Sequence, residues 1–244
     1  MLRELPKPLV NVPSISAAQM LEVERLMASE YLLDPMQTME MAGRHLAHLA
    51  RLLFLKGRAD GKAISLLASN ATKGACVLVA ARKLHQWGGN VRLVLSHEID
   101  EYEGLVGGQL ERARRQGLII VEPPALGGNL IIDGLMGLHW PGDPTGRMAD
   151  LIEWANRQLS PVLSLELPAG LDAETGQQRR PCLRASATMA LGLPKIGVVK
   201  ESARAMVGDI YLADISVPQA LYAAPGLDLK VGSIFAESDI VRIR

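Results

Sequence analysis

Two periodicities alternate along the chain. Short apolar runs at residues 63–68, 91–95, 118–121, 130–132, 162–167, 187–191 and 210–213 have the length and β-branched content of buried strands. Between them, apolar residues recur at helical spacing. Ser16-Ala17-Ala18-Gln19 is a capping box, and the helix it opens runs to about Glu30 with Met20, Val23, Leu26 and Met27 on one face. Asp34-Pro35 opens a second helix, Asp as N-cap and Pro in the first turn. That helix carries Met36, Met39, Ala42, Leu46 and Leu49 inward to about Leu55, its methionines reading as core filler. Further helices are expected from Gly74 to about Trp87, where Gly88-Gly89 stops it, over 101–116, and from about Gly146 to Gln158. Strand and helix alternate at the spacing of βαβ units. The fold class is therefore α/β: a doubly wound, Rossmann-like α/β/α sandwich with a mostly parallel sheet and an N-terminal layer of two helices. Residues 1–13 read as a proline-punctuated arm and 14–218 as one domain. Residues 219–244 read as an extension packed on or trailing it.

Composition narrows the function classes. A chain of 244 residues, 48% of them hydrophobic, can bury a substantial core. Lys+Arg 26 balances Asp+Glu 26, which removes the electrostatic case for a nucleic-acid partner. Two cysteines, Cys76 and Cys182, are too few for a disulfide framework. No apolar run has the length of a signal peptide or a membrane span, so no membrane partner and a cytoplasmic location are expected. Neither a nucleophile elbow nor a zinc-ligand spacing is present. His45, His48, His85 and His97 form no ligand cluster that the sequence supports.

Chemistry concentrates after the fourth strand, in Asp133-Gly134-Leu135-Met136-Gly137-Leu138-His139-Trp140-Pro141-Gly142-Asp143-Pro144-Thr145-Gly146-Arg147. A strand ends in a carboxylate, a glycine-rich loop follows, and a helix begins. In open parallel sheets, ligands bind outside the carboxyl ends of the strands where the connections reverse.

Several segments in order resemble one family, the YjeF N-terminal domain or NAD(P)H-hydrate epimerase family. Ser16-Ala17-Ala18-Gln19-Met20 is similar to its start, with Glu24 where an Asp is common. Met39-Glu40-Met41-Ala42-Gly43 is similar to M-E-N-A-G, with Met41 for Asn. Ile131-Ile132-Asp133-Gly134-Leu135-Met136-Gly137 is similar to I-I-D-A-L-x-G, and Glu166-Leu167-Pro168-Ala169-Gly170-Leu171-Asp172 to D-I-P-S-G-x-D. Leu193-Pro194-Lys195-Ile196-Gly197 and 208–218 are similar to its closing segments. The resemblance covers roughly residues 14–218. It implies interconversion of the R and S epimers of NADH or NADPH hydrated on the nicotinamide ring. It also implies a dinucleotide-type ligand and, more weakly, a homodimer.

The departures from that pattern fall in the site. The family's phosphate loop G-P-G-N-N-G-G-D-G is here Ser69-Asn70-Ala71-Thr72-Lys73-Gly74-Ala75-Cys76-Val77, keeping only Gly74. Its loop Asp is Cys76, open to two roles: a low-pKa thiol at a helix N-terminus, or a buried inert one. The resemblance implies a potassium ion held by three side chains. These map to Lys73 in place of Asn, to a retained Asp133, and to Ala169 in place of Ser. No metal requirement is therefore expected, with the Lys73 ammonium standing at the ion's position and pairing with Asp133. The alternative is a Lys73 pointing to solvent. Asp133, Glu166 and Lys195 are the expected catalytic residues. Thr72, Lys73, Gly74, Cys76, Gly137, His139, Trp140 and Gly142 are expected at the ligand. Trp140 has two readings, stacking on a ring or anchoring its loop. The expected function is a divergent NAD(P)H-hydrate epimerase. The alternative is a catalytically inactive ligand-binding or protein-interaction module of the same fold.

Overall fold

The computed structural model describes residues 5–138, 140 and 142–244. Its chain order is α1 (Ala17–Ser29), α2 (Pro35–Leu53), β1 (Ala63–Ala68), α3 (Thr72–Gln86), β2 (Asn90–Leu95), α4 (Gly104–Arg115) and β3 (Ile119–Ile120). Then follow β4 (Leu130–Gly134), α5 (Gly146–Arg157), β5 (Val162–Leu165), β6 (Ala187–Leu191), α6 (Ile196–Val199), α7 (Arg204–Val207), β7 (Asp209–Ala213) and β8 (Ile240–Arg242). One sheet contains all the strands in the order β3-β2-β1-β4-β5-β6-β7-β8, parallel except for β8. The order reverses between β1 and β4, so the carboxyl ends of these two strands form the switch point.

Both N-terminal helices start at the predicted caps. The Gln19 amide donates to Ser16 Oγ at 3.0 Å and the Ser16 amide to Gln19 Oε1 at 3.1 Å. The Met36 amide donates to Asp34 Oδ1 at 2.7 Å, with Pro35 in the first turn. The main apolar core lies between the sheet and α1 to α4. A second lies under α5, and a third joins Leu167, Val198, Met206 and Ile210. Alternation along β1 sends Ile64, Leu66 and Ala68 to the first core and Leu67 to the second. Gly43 lets α2 approach α3: a Cβ there would stand 2.4 Å from Val79 Cβ and 2.5 Å from the Cys76 carbonyl oxygen.

The third, fifth and last strands depart most from the sequence reading, while β2, β4 and β7 shift by one or two residues. The third strand shrinks to two residues because it is the sheet edge, pairing only with β2. The fifth stops at Leu165 because Glu166 turns to φ 60°, a left-handed conformation uncommon for a residue with a side chain. The last strand, β8, lies beyond the pattern expected to end at 213 and pairs antiparallel with β7, Leu212 opposite Val241. Three residues are too few for periodicity to mark. The arm meets this strand, the Arg242 amide donating to the Pro6 carbonyl at 2.9 Å. Among the described residues, no helix is long and apolar enough to cross a membrane.

Candidate active site

At the switch point two buried side chains face each other. β4 delivers Asp133 and the first turn of α3 delivers Lys73, their side chains 0% and 1% exposed. Lys73 Nζ lies 3.3 Å from Asp133 Oδ2, 3.0 Å from the Met136 carbonyl oxygen and 2.8 Å from that of Leu167. Three ammonium protons meet three acceptors. Asp133 is filled in turn: Oδ1 accepts from the Leu135 amide at 2.9 Å, and Oδ2 from Ser164 Oγ at 2.9 Å and the Ala169 amide at 3.0 Å. A carboxylate and two carbonyl oxygens around one cationic centre resemble the donor shell of a monovalent ion. The residues do not fit such an ion, however. The Lys73 ammonium already fills this set of oxygens, and Ala169 turns an N–H, not an oxygen, toward the carboxylate. Among the described residues, no group of three or more His, Cys, Asp or Glu side chains is arranged to hold a metal.

Next to this pair, a cavity of about 280 Å³ opens between α1, α2 and the carboxyl ends of β5 and β6. Glu24, Thr72, Lys73, Cys76 and Glu166 line it with apolar residues of α2. Beneath it lies a second buried lysine. Lys195 is fully buried, its Nζ 3.3 Å from Glu166 Oε1 and 3.4 Å from each of the Leu191 and Leu193 carbonyl oxygens. Backbone bonds tie this lysine to the start of α1, Ile15 donating to Pro194 O at 3.0 Å and Ile196 to Ile15 O at 3.0 Å. One clamp therefore fixes Lys195, Glu166 and the helix carrying Glu24.

The electrostatics follow from this packing. Burial and the neighbouring Glu166 carboxylate push Glu24 up to about 7, while Lys195 pulls it back. Glu24 is an exposed residue at the cavity mouth, so solvent screening tempers that shift. Burial first, then the charges of Glu166 and Glu24, push the Cys76 thiol far above the usual range. Cys76 is thus a neutral cavity wall, not an activated nucleophile.

The fold matches a solved yeast protein, ynu0 (YNL200c), with a TM-score of 0.78 at 18% identity, covering 95% of this chain and all of that one. The family model described as YjeF-related protein N-terminus matches residues 35–197. The chain belongs to this family. It is 34% identical to the NAD(P)H-hydrate epimerase of Truepera radiovictrix, over 88% of this chain and 94% of that one. It is 32% identical to the NAD(P)H-hydrate epimerase of Dehalogenimonas lykanthroporepellens, over 88% and 87%.

Within the YjeF fold one departure from the family pattern stands against another. Val77, at a glycine of the family loop, does not fill the cavity. It packs on Gly134, which stands at the Ala of I-I-D-A-L: a Cβ on Gly134 would come within 2.5 Å of Val77 Cγ2 and 2.9 Å of Leu67 O. The bulk has moved from one side of the contact to the other. Gly74 is required by its own loop, since a Cβ there would stand 1.9 Å from Ser69 O. Met41 also stays out of the cavity, its sulfur 3.4 Å from Ser216 Oγ.

Of the expected site residues, Thr72, Lys73, Cys76 and Glu166 share the cavity, with Lys195 under it. Asp133 is fully buried and its oxygens meet internal donors. Lys195 is buried against Glu166. Gly74 packs against Ser69 and does not line the cavity. Gly137 and Gly142 do not line the cavity, and Trp140 packs half-buried against the core under α5, the anchoring reading. His139 lies outside the described residues. Sequence reasoning missed Ser164, and it named Glu24 at a position where the family commonly has Asp without expecting it at the site. A further signal for Glu24 was a carboxylate flanking the buried stripe of Met20, Val23 and Met27.

Proposed function

We propose that this protein is a divergent NAD(P)H-hydrate epimerase, moving the hydroxyl of a hydrated nicotinamide ring between its two faces. The observation that carries the reading is the retained cavity at the strand ends, walled by the Glu24 and Glu166 carboxylates above a buried ammonium. Its similarity to the NAD(P)H-hydrate epimerases of the two bacterial relatives supports it. A cavity of about 280 Å³ is at the small end of ligand sites. It suits the hydrated ring and its ribose, leaving the rest of the dinucleotide outside, toward the α3 N-terminus. That end has no side-chain cap, so its N–H groups remain for a phosphate.

In this reading Glu166 supplies negative charge beside a ring that becomes cationic when the hydroxyl departs. Lys195 and the φ 60° backbone hold that carboxylate at the cavity wall. Lys73 does the work of a monovalent cation, fixing Asp133 and the carbonyls of Met136 and Leu167 without an ion. The cytoplasm is the compartment that goes with this activity.

The test is a coupled assay. Purified protein is mixed with the R epimer of hydrated NADH and a dehydratase that consumes only S. The expected result is clearance of R above its spontaneous rate, reduced at least tenfold in Glu166→Gln. No acceleration, with no binding of hydrated NADH by calorimetry, would overturn the reading in favour of a non-catalytic module.

A further inference from the structure

Glu24 sits where the site lacks a proton-transfer group. Asp133 is buried and saturated, Cys76 is a neutral thiol, and both lysines have their protons engaged by carbonyl and carboxylate oxygens. Glu166 is paired with Lys195. Of the ionisable side chains lining the cavity, that leaves Glu24, which lines its mouth and has no ion-pair partner among the described residues. From the geometry of this cavity we infer that Glu24 is the proton donor and acceptor of the reaction, a role distinct from that of Glu166. The inference rests on the epimerase reading.

The step balances without a further reagent. Protonated Glu24 gives its proton to the ring hydroxyl as the C–O bond breaks, its electron pair leaving with oxygen as water. The lone pair of the adjacent ring nitrogen forms a C=N bond, and the ring's positive charge faces Glu166. Water then adds to the opposite face of the same carbon. Its proton goes to the Glu24 carboxylate, and the C=N electrons return to nitrogen. Nothing is oxidised or reduced.

The two carboxylates meet different surroundings: Glu166 touches Lys195, and Glu24 stands at the cavity mouth without an ion-pair partner among the described residues. Burial and Glu166 raise Glu24 and Lys195 lowers it, a rise to about 7 that solvent at the exposed cavity mouth tempers. The charged and titratable groups around it are Glu166 after β5, Lys195 before α6, and Lys73 and Cys76 on α3. On α2, Glu40 is paired with Arg82 across the helix interface. On α1 itself, Glu22 is paired with Arg25 at the surface.

The pH dependence of kcat for R-epimer clearance tests the inference. Wild type should lose rate as pH rises through about 7, because departure of the hydroxyl needs the protonated acid. Glu24→Gln should lower kcat by roughly 10²–10³-fold and flatten that limb, with affinity for hydrated NADH within about threefold. Glu24→Asp should recover part of the rate and restore a limb. An active wild type whose Glu24→Gln variant keeps its rate, or keeps the limb near 7, would overturn the role of Glu24 alone. A wild type without epimerase activity would overturn the parent reading and this one with it.

Discussion

Replacing Lys73 by Met keeps the aliphatic stem and removes the ammonium. Three acceptors then lose their donor: Asp133 Oδ2, the Met136 carbonyl and the Leu167 carbonyl. Asp133 keeps Leu135 N, Ser164 Oγ and Ala169 N but loses its counter-charge in a site that water does not reach. Breaking one side of a buried pair costs about 3–5 kcal/mol. At about 2.1 cal/mol/K per residue, 244 residues give an unfolding entropy near 0.5 kcal/mol/K, so each kcal/mol moves Tm by about 2 °C. Lys73→Met should therefore lower Tm by roughly 6–10 °C. Adding Asp133→Asn removes the orphaned charge, and the double variant should melt above Lys73→Met. The decisive variant is Lys73→Asn with Ala169→Ser, which restores the three ion ligands that the family resemblance implies. By differential scanning fluorimetry its Tm should rise with KCl at constant ionic strength, while wild type stays flat. A wild type stabilised by potassium, or a Lys73→Met variant as stable as wild type, would refute the assignment of the ammonium to the ion's place.

Three further outcomes follow from the packing and the charges. Gly134→Ala should cost about 1–3 kcal/mol through its clash with Val77, and adding Val77→Ala should restore most of that loss in chemical denaturation. Cys76 is buried with its thiol pKa raised, and burial lifts the half-buried Cys182 to about 12, so iodoacetamide at neutral pH should leave both unmodified until the chain is unfolded. Between its ordinary 4.5 and about 7, Glu24 keeps in the folded state a proton that the unfolded chain has lost, so stability falls as pH climbs through that window. Glu24→Gln should accordingly melt higher than wild type at pH 8, with the difference shrinking toward pH 5.

Much of this architecture is legible in the residues. Capping boxes at Ser16 and Asp34 and the apolar runs at 63–68 and 187–191 mark their elements because local hydrogen bonding and burial decide them. Pairing of Lys73 with Asp133 follows from the family register, since a cation replacing an ion ligand at a strand-end carboxylate has one natural partner. What sequence could not carry is tertiary. That Asp133 is sealed rather than presented depends on Ser164 and Ala169, which β5 and its following loop bring from some thirty residues away. The loop at 137–142 looked like a ligand loop by composition, yet Trp140 turns to the core under α5. Compensation between Val77 and Gly134 becomes visible only when β4 lies against α3.

The most direct measurement is the time course of R-to-S conversion of hydrated NADH by proton NMR in a potassium-free buffer, repeated as KCl is added. An enzyme with a tethered ammonium should convert R to S above the spontaneous rate without potassium and hold that rate as potassium rises. Conversion that appears only with potassium would contradict the place given to Lys73, and a spontaneous rate under every condition would contradict the epimerase itself.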